Sequence, residues 1–224
     1  MIEDDPIKND NRKYNFVDSG FYFRAEFPVI CEWIIDGSKI IDLGCGDGSL
    51  MKYLSERKKI EIEGIDVSET GVEICKKNNL KAFVGEIDKQ ETYKKYSNNQ
   101  FDYAICNVTI QMVMYPDVLV REMKRIAKNL IISFPNFAYF GNRLDLLFNG
   151  CMPKPMLHSY EWYNTGHIHQ LSLFDFEKYC REEAFLKITR KYHLGCFRFF
   201  ANISSPNFFS KETIYLCCDK KYEV

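Results

Sequence analysis

The sequence predicts an α/β fold built on a doubly wound, mostly parallel sheet of seven strands. Between about residue 38 and residue 134, five short apolar runs alternate with amphipathic or polar segments, which is typical of strands joined by helical crossovers. The first of these runs leads directly into closely spaced glycines and then into a helical pattern. Two further apolar runs near the C-terminus predict an antiparallel pair that completes the sheet.

Residues 1–37 precede this sheet and are predicted to form an N-terminal arm and one helix. The first part of the arm is polar and is interrupted by Pro6 and Gly20, which indicates loose order. From Phe21 to Ile35, aromatic and aliphatic residues recur at helical spacing, and Gly37 would end the helix. The remaining residues, 38–224, are expected to form one domain.

The composition excludes several classes of partner. Lys plus Arg number 30 and Asp plus Glu number 31, so no basic field would attract nucleic acid or an anionic membrane surface. No run of about 18 apolar residues occurs, and the acidic N-terminus lacks the apolar segment of a signal peptide. The nine cysteines show no C-x-x-C spacing, which is typical of free thiols in a reducing compartment. A cytoplasmic protein with no nucleic-acid or membrane partner is expected.

Residues 40–50 carry the most informative pattern, a strand followed by a tight turn and a helix. Glycines in such a turn allow backbone conformations that a side chain would obstruct, and they let a ligand approach the main chain. A dinucleotide fingerprint would have its third glycine at the position of Ser49, and Asp42 would repel a pyrophosphate. The alternative is a turn that only packs the helix on the strand. The glycines are Gly44, Gly46 and Gly48.

The second predicted strand, from Ile60 to Ile65, ends at an acidic residue, Asp66. In a doubly wound sheet, the end of the second strand lies beside the loop that follows the first strand. A carboxylate at this place can accept hydrogen bonds from the two hydroxyls of a ribose. The alternative is a charge that stabilises the N-terminus of the next helix, which Ser68 is predicted to cap.

The rest of the chain continues the alternation and adds a lid insertion after the fifth strand. This insertion, at about residues 136–171, would lie over the C-terminal edge of the sheet, where ligands bind. The helix after it begins at Ser172, and Asp175 completes a capping box. The other predicted elements are strands at Ala82–Val84, Phe101–Val108, Leu130–Phe134, Leu186–His193 and Thr213–Cys218, a helix at Asp117–Lys128, and a solvated polar segment at 89–100.

Three of the four histidines fall in the predicted lid, namely His158, His167 and His169. No further ligand has a spacing that would complete a metal site, so no metal is predicted. A histidine titrates nearest to neutral pH and suits a general base, and a histidine packed against a backbone carbonyl fits the pattern equally well. The candidate catalytic residues are His167, His169 and Tyr160.

The pattern Asp-x-Gly-x-Gly-x-Gly, from Asp42 to Gly48, resembles motif I of class I S-adenosylmethionine (SAM) methyltransferases, which have a Rossmann-like sheet. The resemblance implies SAM as the cofactor, with the glycine loop around its methionine and ribose portions. It also implies that an acid after the third strand accepts from the adenine amino group, with Glu86 as first candidate and Asp88 as second. The implied cofactor-binding residues are Asp42, Gly44, Cys45, Gly46, Gly48, Asp66, Val67, Glu86, Ile87, Asn107 and Val108.

Three segments are similar to the MetW group of methionine-biosynthesis proteins. They are residues 41–48, the Ser-Phe-Pro-Asn segment within 131–137, and the run from Trp162 to His169. The similarity covers roughly residues 38–190, and Asp66 replaces the glutamate that is usual in the group. The resemblance implies a role in methionine biosynthesis and an association with homoserine O-acyltransferases.

Two functions remain open at this stage. The first is a SAM-dependent methyltransferase that acts on a small molecule. Methylation of nucleobases loses support, because residues 107–110 read Asn-Val-Thr-Ile and not the Asn/Asp-Pro-Pro-Tyr that is common in enzymes acting on exocyclic amines. The second is a non-catalytic SAM-binding regulator of a homoserine O-acyltransferase, which would dock through the lid or the phenylalanine-rich segment 197–209.

Overall fold

The computed structural model describes residues 15–153, 161–163, 165–195 and 205–220, and these form one seven-stranded sheet with helices on both faces. The order across the sheet is β3-β2-β1-β4-β5-β7-β6, with the first five strands parallel and β7 antiparallel to both β5 and β6. The predicted doubly wound, mostly parallel sheet is confirmed. The strands are β1 (Lys39–Leu43), β2 (Glu61–Asp66), β3 (Lys81–Val84), β4 (Phe101–Asn107), β5 (Ala127–Pro135), β6 (Leu186–Leu194) and β7 (Glu212–Asp219).

Successive residues of the central strand β1 point to opposite faces of the sheet, as the twofold period of a strand requires. Ile40 packs in one hydrophobic cluster with Trp33, and Ile41 packs in the other with Met123 and Phe176. Both faces are therefore buried, which a parallel sheet demands. The α-helices in the described ranges are α1 (Glu26–Trp33), α2 (Ser49–Ser55), α3 (Glu69–Lys77), α4 (Pro116–Ile126), α5 (Phe140–Leu144), α6 (Leu173–Glu182) and α7 (Pro206–Phe209).

The two predicted serine caps begin α3 and α6. Ser68 Oγ accepts the Gly71 N–H at 3.2 Å. Ser172 Oγ accepts the Asp175 N–H at 3.2 Å, and the Asp175 carboxylate accepts the Ser172 N–H at 3.0 Å. The reciprocal pair is the capping box that the sequence predicted.

Two of the predicted helices have boundaries that differ from the structure. Helix α1 begins at Glu26 and not at Phe21, because the backbone before it is held elsewhere: the Tyr22 N–H donates to Ser49 Oγ. The helix predicted at Asp117–Lys128 is α4, which begins at Pro116 and ends at Ile126. Proline fits the first turn, and Ala127 already pairs with Phe101 in the sheet.

The segment 89–100, predicted to be solvated, contributes two tyrosines to the core. A 3₁₀ turn at Gln90–Tyr93 brings Tyr93 inside, where its hydroxyl donates to the Ile87 carbonyl. The Tyr96 hydroxyl donates to a Glu63 carboxylate oxygen. The prediction failed because these tyrosines lie among charged residues in the sequence and are buried only by tertiary contacts.

Residues 136–171 lie between β5 and α6, and their action as a lid remains a prediction. Their described part contains α5 and a π-helical turn at Asp145–Asn149, whereas 154–160 and Asn164 lie outside the described residues. Every cysteine in the described ranges is a free thiol. Within the same ranges, none of the helices combines the length and apolar character that a membrane span requires.

Candidate functional site

The loop between β1 and α2 bends through left-handed backbone conformations, with φ values of +84° at Gly44, +55° at Gly46 and +83° at Gly48. Only glycine adopts such conformations without strain. Space is also restricted, since an added Cβ on Gly44 would lie 2.5 Å from Cγ2 of Thr109. One on Gly48 would lie 2.7 Å from Cδ1 of Leu80. The three glycines are therefore required by both the backbone and the packing.

Asp66 fastens this loop to the end of β2. Its Oδ2 accepts the Gly46 N–H at 2.7 Å, and its Oδ1 accepts the Ser68 N–H at 2.8 Å. The residue is only 9% exposed, and burial raises the pKa of its carboxyl despite these bonds. Each carboxylate oxygen has a second lone pair, so capacity to accept from a ligand remains.

Asp42, the next acid along this edge, has a carboxylate without a hydrogen-bond donor among the described residues. It is 2% exposed, and within the described part of the chain no residue donates a hydrogen bond to its side chain. Burial and the neighbouring Asp66 carboxylate raise the pKa of Asp42 to about 7. An ionised carboxylate is costly to bury unless a cation or donor pairs with it, so this position suits a cationic ligand and not a phosphate.

The N-terminal arm crosses the glycine loop, which the sequence did not predict. The Phe16 N–H donates to Thr70 Oγ1 at 2.8 Å, and the Phe16 ring covers Gly46. An added Cβ on Gly46 would lie 2.8 Å from Cζ of this ring. The arm therefore packs directly on the segment predicted to hold the cofactor.

Tyr22 makes a second attachment of the arm, through its N–H to Ser49 Oγ at 3.1 Å. Although the residue is 49% exposed as a whole, burial around its hydroxyl and the Asp47 carboxylate raise the pKa of Tyr22 to about 12. The Asp42 carboxylate contributes to the same shift, so the phenol lies on the acidic side of the loop.

Two acids follow β3: Glu86 is exposed, and Asp88 is hydrogen-bonded to the backbone. Glu86 is exposed at the C-terminal edge, and Ile87 beside it is buried. Asp88, the second candidate for the adenine contact, accepts from the backbone N–H groups of Met114 and Tyr115 at 2.8 and 3.3 Å. Asp88 thus ties the β3 and β4 loops together, whereas Glu86 is exposed to solvent.

The end of β4 is strained. Val108 has a φ of +52°, a conformation that is a genuine outlier for a β-branched residue. Its N–H donates to Ser133 Oγ at 3.0 Å, and the Ser133 hydroxyl donates to Asn107 Oδ1 at 2.7 Å. Strain of this kind persists only where surrounding contacts hold it, and such sites are commonly functional. Val67, at the end of β2, lies partly buried along the same edge.

Two of the three candidate bases lie where the lid meets the β4 loop. The N–H groups of Ile168 and His169 both donate to the Gln111 carbonyl at 3.0 Å. His167 is buried, and its N–H donates to Thr165 Oγ1 at 3.1 Å. Tyr160, the third candidate, and His158 lie outside the described residues.

Gln111 itself was missed by the sequence reasoning. It is fully buried, its Nε2 donates to the Val108 carbonyl at 2.9 Å, and its Oε1 has no partner among the described residues. The one feature of the sequence that could have indicated Gln111 is the position of its polar amide between the apolar residues Ile110 and Met112, directly after a strand. In the described ranges, no group of three or more His, Cys, Asp or Glu side chains could hold a metal ion.

Of the five phenylalanines in the phenylalanine-rich segment, Phe208 and Phe209 are described, and the other three lie outside the described residues. Their rings lie 5.6 and 6.3 Å from that of Phe140, and both side chains are partly buried. These two therefore pack under the lid and do not form an open patch.

Comparison with known sequences identifies related proteins. The chain matches the family described as "Methionine biosynthesis protein MetW" over residues 24–217. The bifunctional methionine biosynthesis protein MetXA/MetW of Rhodopirellula baltica is 33% identical over 165 residues, which are 70% of this chain and 26% of that protein. A ubiquinone biosynthesis O-methyltransferase of Pseudomonas aeruginosa is 27% identical over 109 residues, which are 45% of this chain and 47% of that protein. The chain thus spans from about a quarter to a half of the length of these curated relatives.

Solved structures share the architecture. A SAM-dependent methyltransferase of Thermotoga maritima has a TM-score of 0.60 at 18% identity and covers 88% of each chain. A SAM-dependent methyltransferase of Methanosarcina mazei has a TM-score of 0.62 at 13% identity, over 86% of this chain and 97% of that one. At these identities the likeness shows the fold, which is that of class I methyltransferases.

Proposed function

Because the chain belongs to the MetW family of methionine biosynthesis proteins, as its motifs predicted, we propose that it is a SAM-dependent methyltransferase acting on a small molecule. The observation that carries the proposal is the pair of buried carboxylates, Asp42 and Asp66, beside a left-handed glycine loop. Asp42 suits a cation and Asp66 suits a ribose, and SAM contains both groups.

The cofactor would lie along the C-terminal edge of β1, β2 and β4. In this arrangement the glycine loop and Asp42 surround the methionine portion, and Asp66 with Val67 takes the ribose. Glu86 and Ile87 then face the adenine, while Asn107 and Val108 form a wall. SAM, when bound, supplies an activated methyl group, so the chain mainly has to orient the acceptor and exclude water.

His169 is the favoured general base among the candidates. Its backbone is fixed on the β4 loop by the Gln111 carbonyl, and its Nε2 is buried without a partner in the described ranges. A base has to reach the proton that it removes, and this position lies at the edge where the cofactor would end. His167 and Tyr160 remain candidates for the same role.

A second function, regulation of a homoserine O-acyltransferase, is supported by the relative from Rhodopirellula baltica. The name of that protein joins MetXA and MetW in one polypeptide. The lid also exposes large apolar side chains, with Leu147, Phe148 and Trp162 each more than 70% exposed. Exposed apolar side chains of this size favour a protein interface. SAM could regulate such a partner only if it binds the free and docked states with different affinities.

Methyl transfer from radiolabelled SAM to a small-molecule extract tests the first function. We expect a labelled product with the native chain and with Gln170→Ala, an exposed lid residue next to the candidate base. His169→Ala should lose most of the label, since removal of a positioned base typically costs about 10² to 10⁴ in rate. Equal label from both variants would remove His169 from the mechanism.

Co-purification with a homoserine O-acyltransferase tests the second function. A regulator should bind the acyltransferase, and SAM should change that affinity without any labelled product. An interface through the lid should weaken when Phe148 is changed to Ser, and the exposed Val84→Ser variant provides a control far along the sheet.

A further inference from the structure

Two buried side-chain atoms lack hydrogen-bond partners at the junction between the lid and the β4 loop. Within the described ranges these atoms are Gln111 Oε1 and His169 Nε2. Buried polar atoms are nearly always paired, because an unpaired one costs about 1 to 3 kcal/mol. The two belong to residues whose backbones are joined directly, through the His169 N–H and the Gln111 carbonyl.

The orientation of the Gln111 amide follows from its one bond. Nε2 donates to the Val108 carbonyl at 2.9 Å. A flipped amide would place Gln111 Oε1 against the Val108 carbonyl oxygen. Oε1 is therefore the amide atom that lacks a hydrogen-bond partner among the described residues. An amide oxygen only accepts hydrogen bonds, and the missing partner is therefore a donor.

The Gln111 amide is held in a defined orientation by Val108, a residue whose own backbone is strained. Val108 holds a φ of +52° and is fixed by Ser133 on β5. Gln111 is fully buried, so bulk water does not satisfy its oxygen. The backbone N–H groups of Ile168 and His169, in segment 136–171, both donate to the Gln111 carbonyl. Strain and an unpaired acceptor thus occur within four residues of each other.

We propose that Gln111 and His169 form the recognition site for the methyl acceptor, and that the acceptor group carries a hydrogen on oxygen or nitrogen. This proposal rests on the proposed methyltransferase function. Gln111 Oε1 accepts the hydrogen of a hydroxyl or N–H group, and His169 belongs to the same site through the bond from its backbone N–H to the Gln111 carbonyl. A carboxylate is excluded, because it would set an acceptor against an acceptor.

A consequence is that the site distinguishes an acceptor from its methylated form. A methyl group in place of the hydrogen removes the donor and leaves Gln111 Oε1 unpaired again. Sites built to bond a hydroxyl or amine reject analogues that lack it. The methylated molecule should therefore bind more weakly than its parent.

Fragment binding to the protein loaded with S-adenosylhomocysteine (SAH) tests this proposal. The probes are phenol with anisole, imidazole with 1-methylimidazole, and acetate as an acceptor-only control, each titrated by NMR. We expect phenol or imidazole to bind about tenfold more tightly than its methylated counterpart, the effect of roughly one hydrogen bond. Acetate should not bind at this site.

Variants assign the preference to Gln111. Gln111→Met keeps the length of the side chain and removes the acceptor, so the tenfold preference should vanish while SAH still binds. Gln170→Leu, on the exposed side of the lid, should retain it. If Gln111→Met does not fold, His169→Phe provides the second variant, and the side-chain NMR signals of Gln111 should still shift with phenol.

Three results would overturn the proposal. They are equal binding of parent and methylated probes, no binding of any probe to the SAH complex, and a preference that survives Gln111→Met. Binding of SAH is verified first. A failure of the proposed acceptor site can then be distinguished from a failure of the proposed SAM site.

Discussion

The carboxylate of Asp66 accepts the backbone N–H of Gly46 at 2.7 Å, so the end of β2 holds the loop that follows β1. Asp66, which is predicted to bind a ribose, is thereby bonded to the glycine loop that is predicted to hold the rest of the cofactor. Stability and ligand binding are expected to depend on the same side chain.

Asp66→Asn should lower both the free energy of unfolding and the affinity for SAH. An asparagine amide keeps one acceptor, but it cannot accept from Gly46 and Ser68 together without placing N–H against N–H. We expect a loss of about 1 to 3 kcal/mol in urea denaturation and weaker SAH binding in calorimetry. Asp117→Asn, at an exposed acid of α4, should change stability by less than about 1 kcal/mol. Native SAH affinity in Asp66→Asn would exclude the ribose role.

Gly44→Ala and Gly150→Ala separate backbone strain from packing. Both glycines have positive φ, +84° and +63°, so both alanines carry the cost of a left-handed conformation, about 1 to 2 kcal/mol. Only at Gly44 would the new Cβ clash, with Thr109, whereas nothing lies within 4 Å at Gly150. Gly44→Ala should therefore be less stable than Gly150→Ala by about 1 to 3 kcal/mol in thermal or urea unfolding. Equal losses would contradict the close packing of this loop.

The Asp42 carboxyl should make stability fall as the pH rises. Its pKa is about 7 in the folded chain, against about 3.9 when unfolded, so between these values the folded state holds a proton that the unfolded state has released. The stability that the folded chain gains from holding this proton on Asp42 is fully present below about pH 4 and is lost as the pH passes 7. Relative to Asp42→Asn, the native chain should lose a few kcal/mol at most over this window. Parallel pH profiles for the two proteins would show that Asp42 does not titrate in this way.

Phe16→Ala should loosen the glycine loop. The ring covers Gly46, and removal of a partly buried aromatic side chain exposes the loop backbone to solvent. We expect faster hydrogen exchange at the Gly46 amide and several-fold weaker SAH binding. Val17→Ala, at a neighbouring arm residue that is 61% exposed, should leave both unchanged. An unaltered exchange rate in Phe16→Ala would mean that the arm does not support the loop.

The parts of the fold that the sequence predicted are those set by neighbouring residues. Apolar runs fix the strands, glycines fix the turn after β1, and Ser172 with Asp175 fixes the start of α6 within one turn of helix. The proximity of the candidate site acids Asp42 and Asp66 could be predicted because parallel topology brings strand ends together.

The parts that were missed depend on contacts distant in the chain. Tyr96 is buried by its bond to Glu63, which lies 33 residues away. Phe16 meets Thr70 across 54 residues, and no local pattern marks either partner. The unpaired state of Gln111 Oε1, among the described residues, likewise depends on tertiary packing and has no local signal in the sequence.

Calorimetry with SAH, SAM and NAD tests the central claim, that the glycine loop and its two carboxylates form a SAM site. We expect SAH and SAM to bind in a one-to-one ratio and NAD to give no heat of binding, because a pyrophosphate would face the buried acids Asp42 and Asp66. Asp42→Ala should weaken SAM, whose sulfonium is cationic, more than it weakens SAH. Tight binding of NAD with no binding of SAM or SAH would contradict the claim and assign the loop to a dinucleotide.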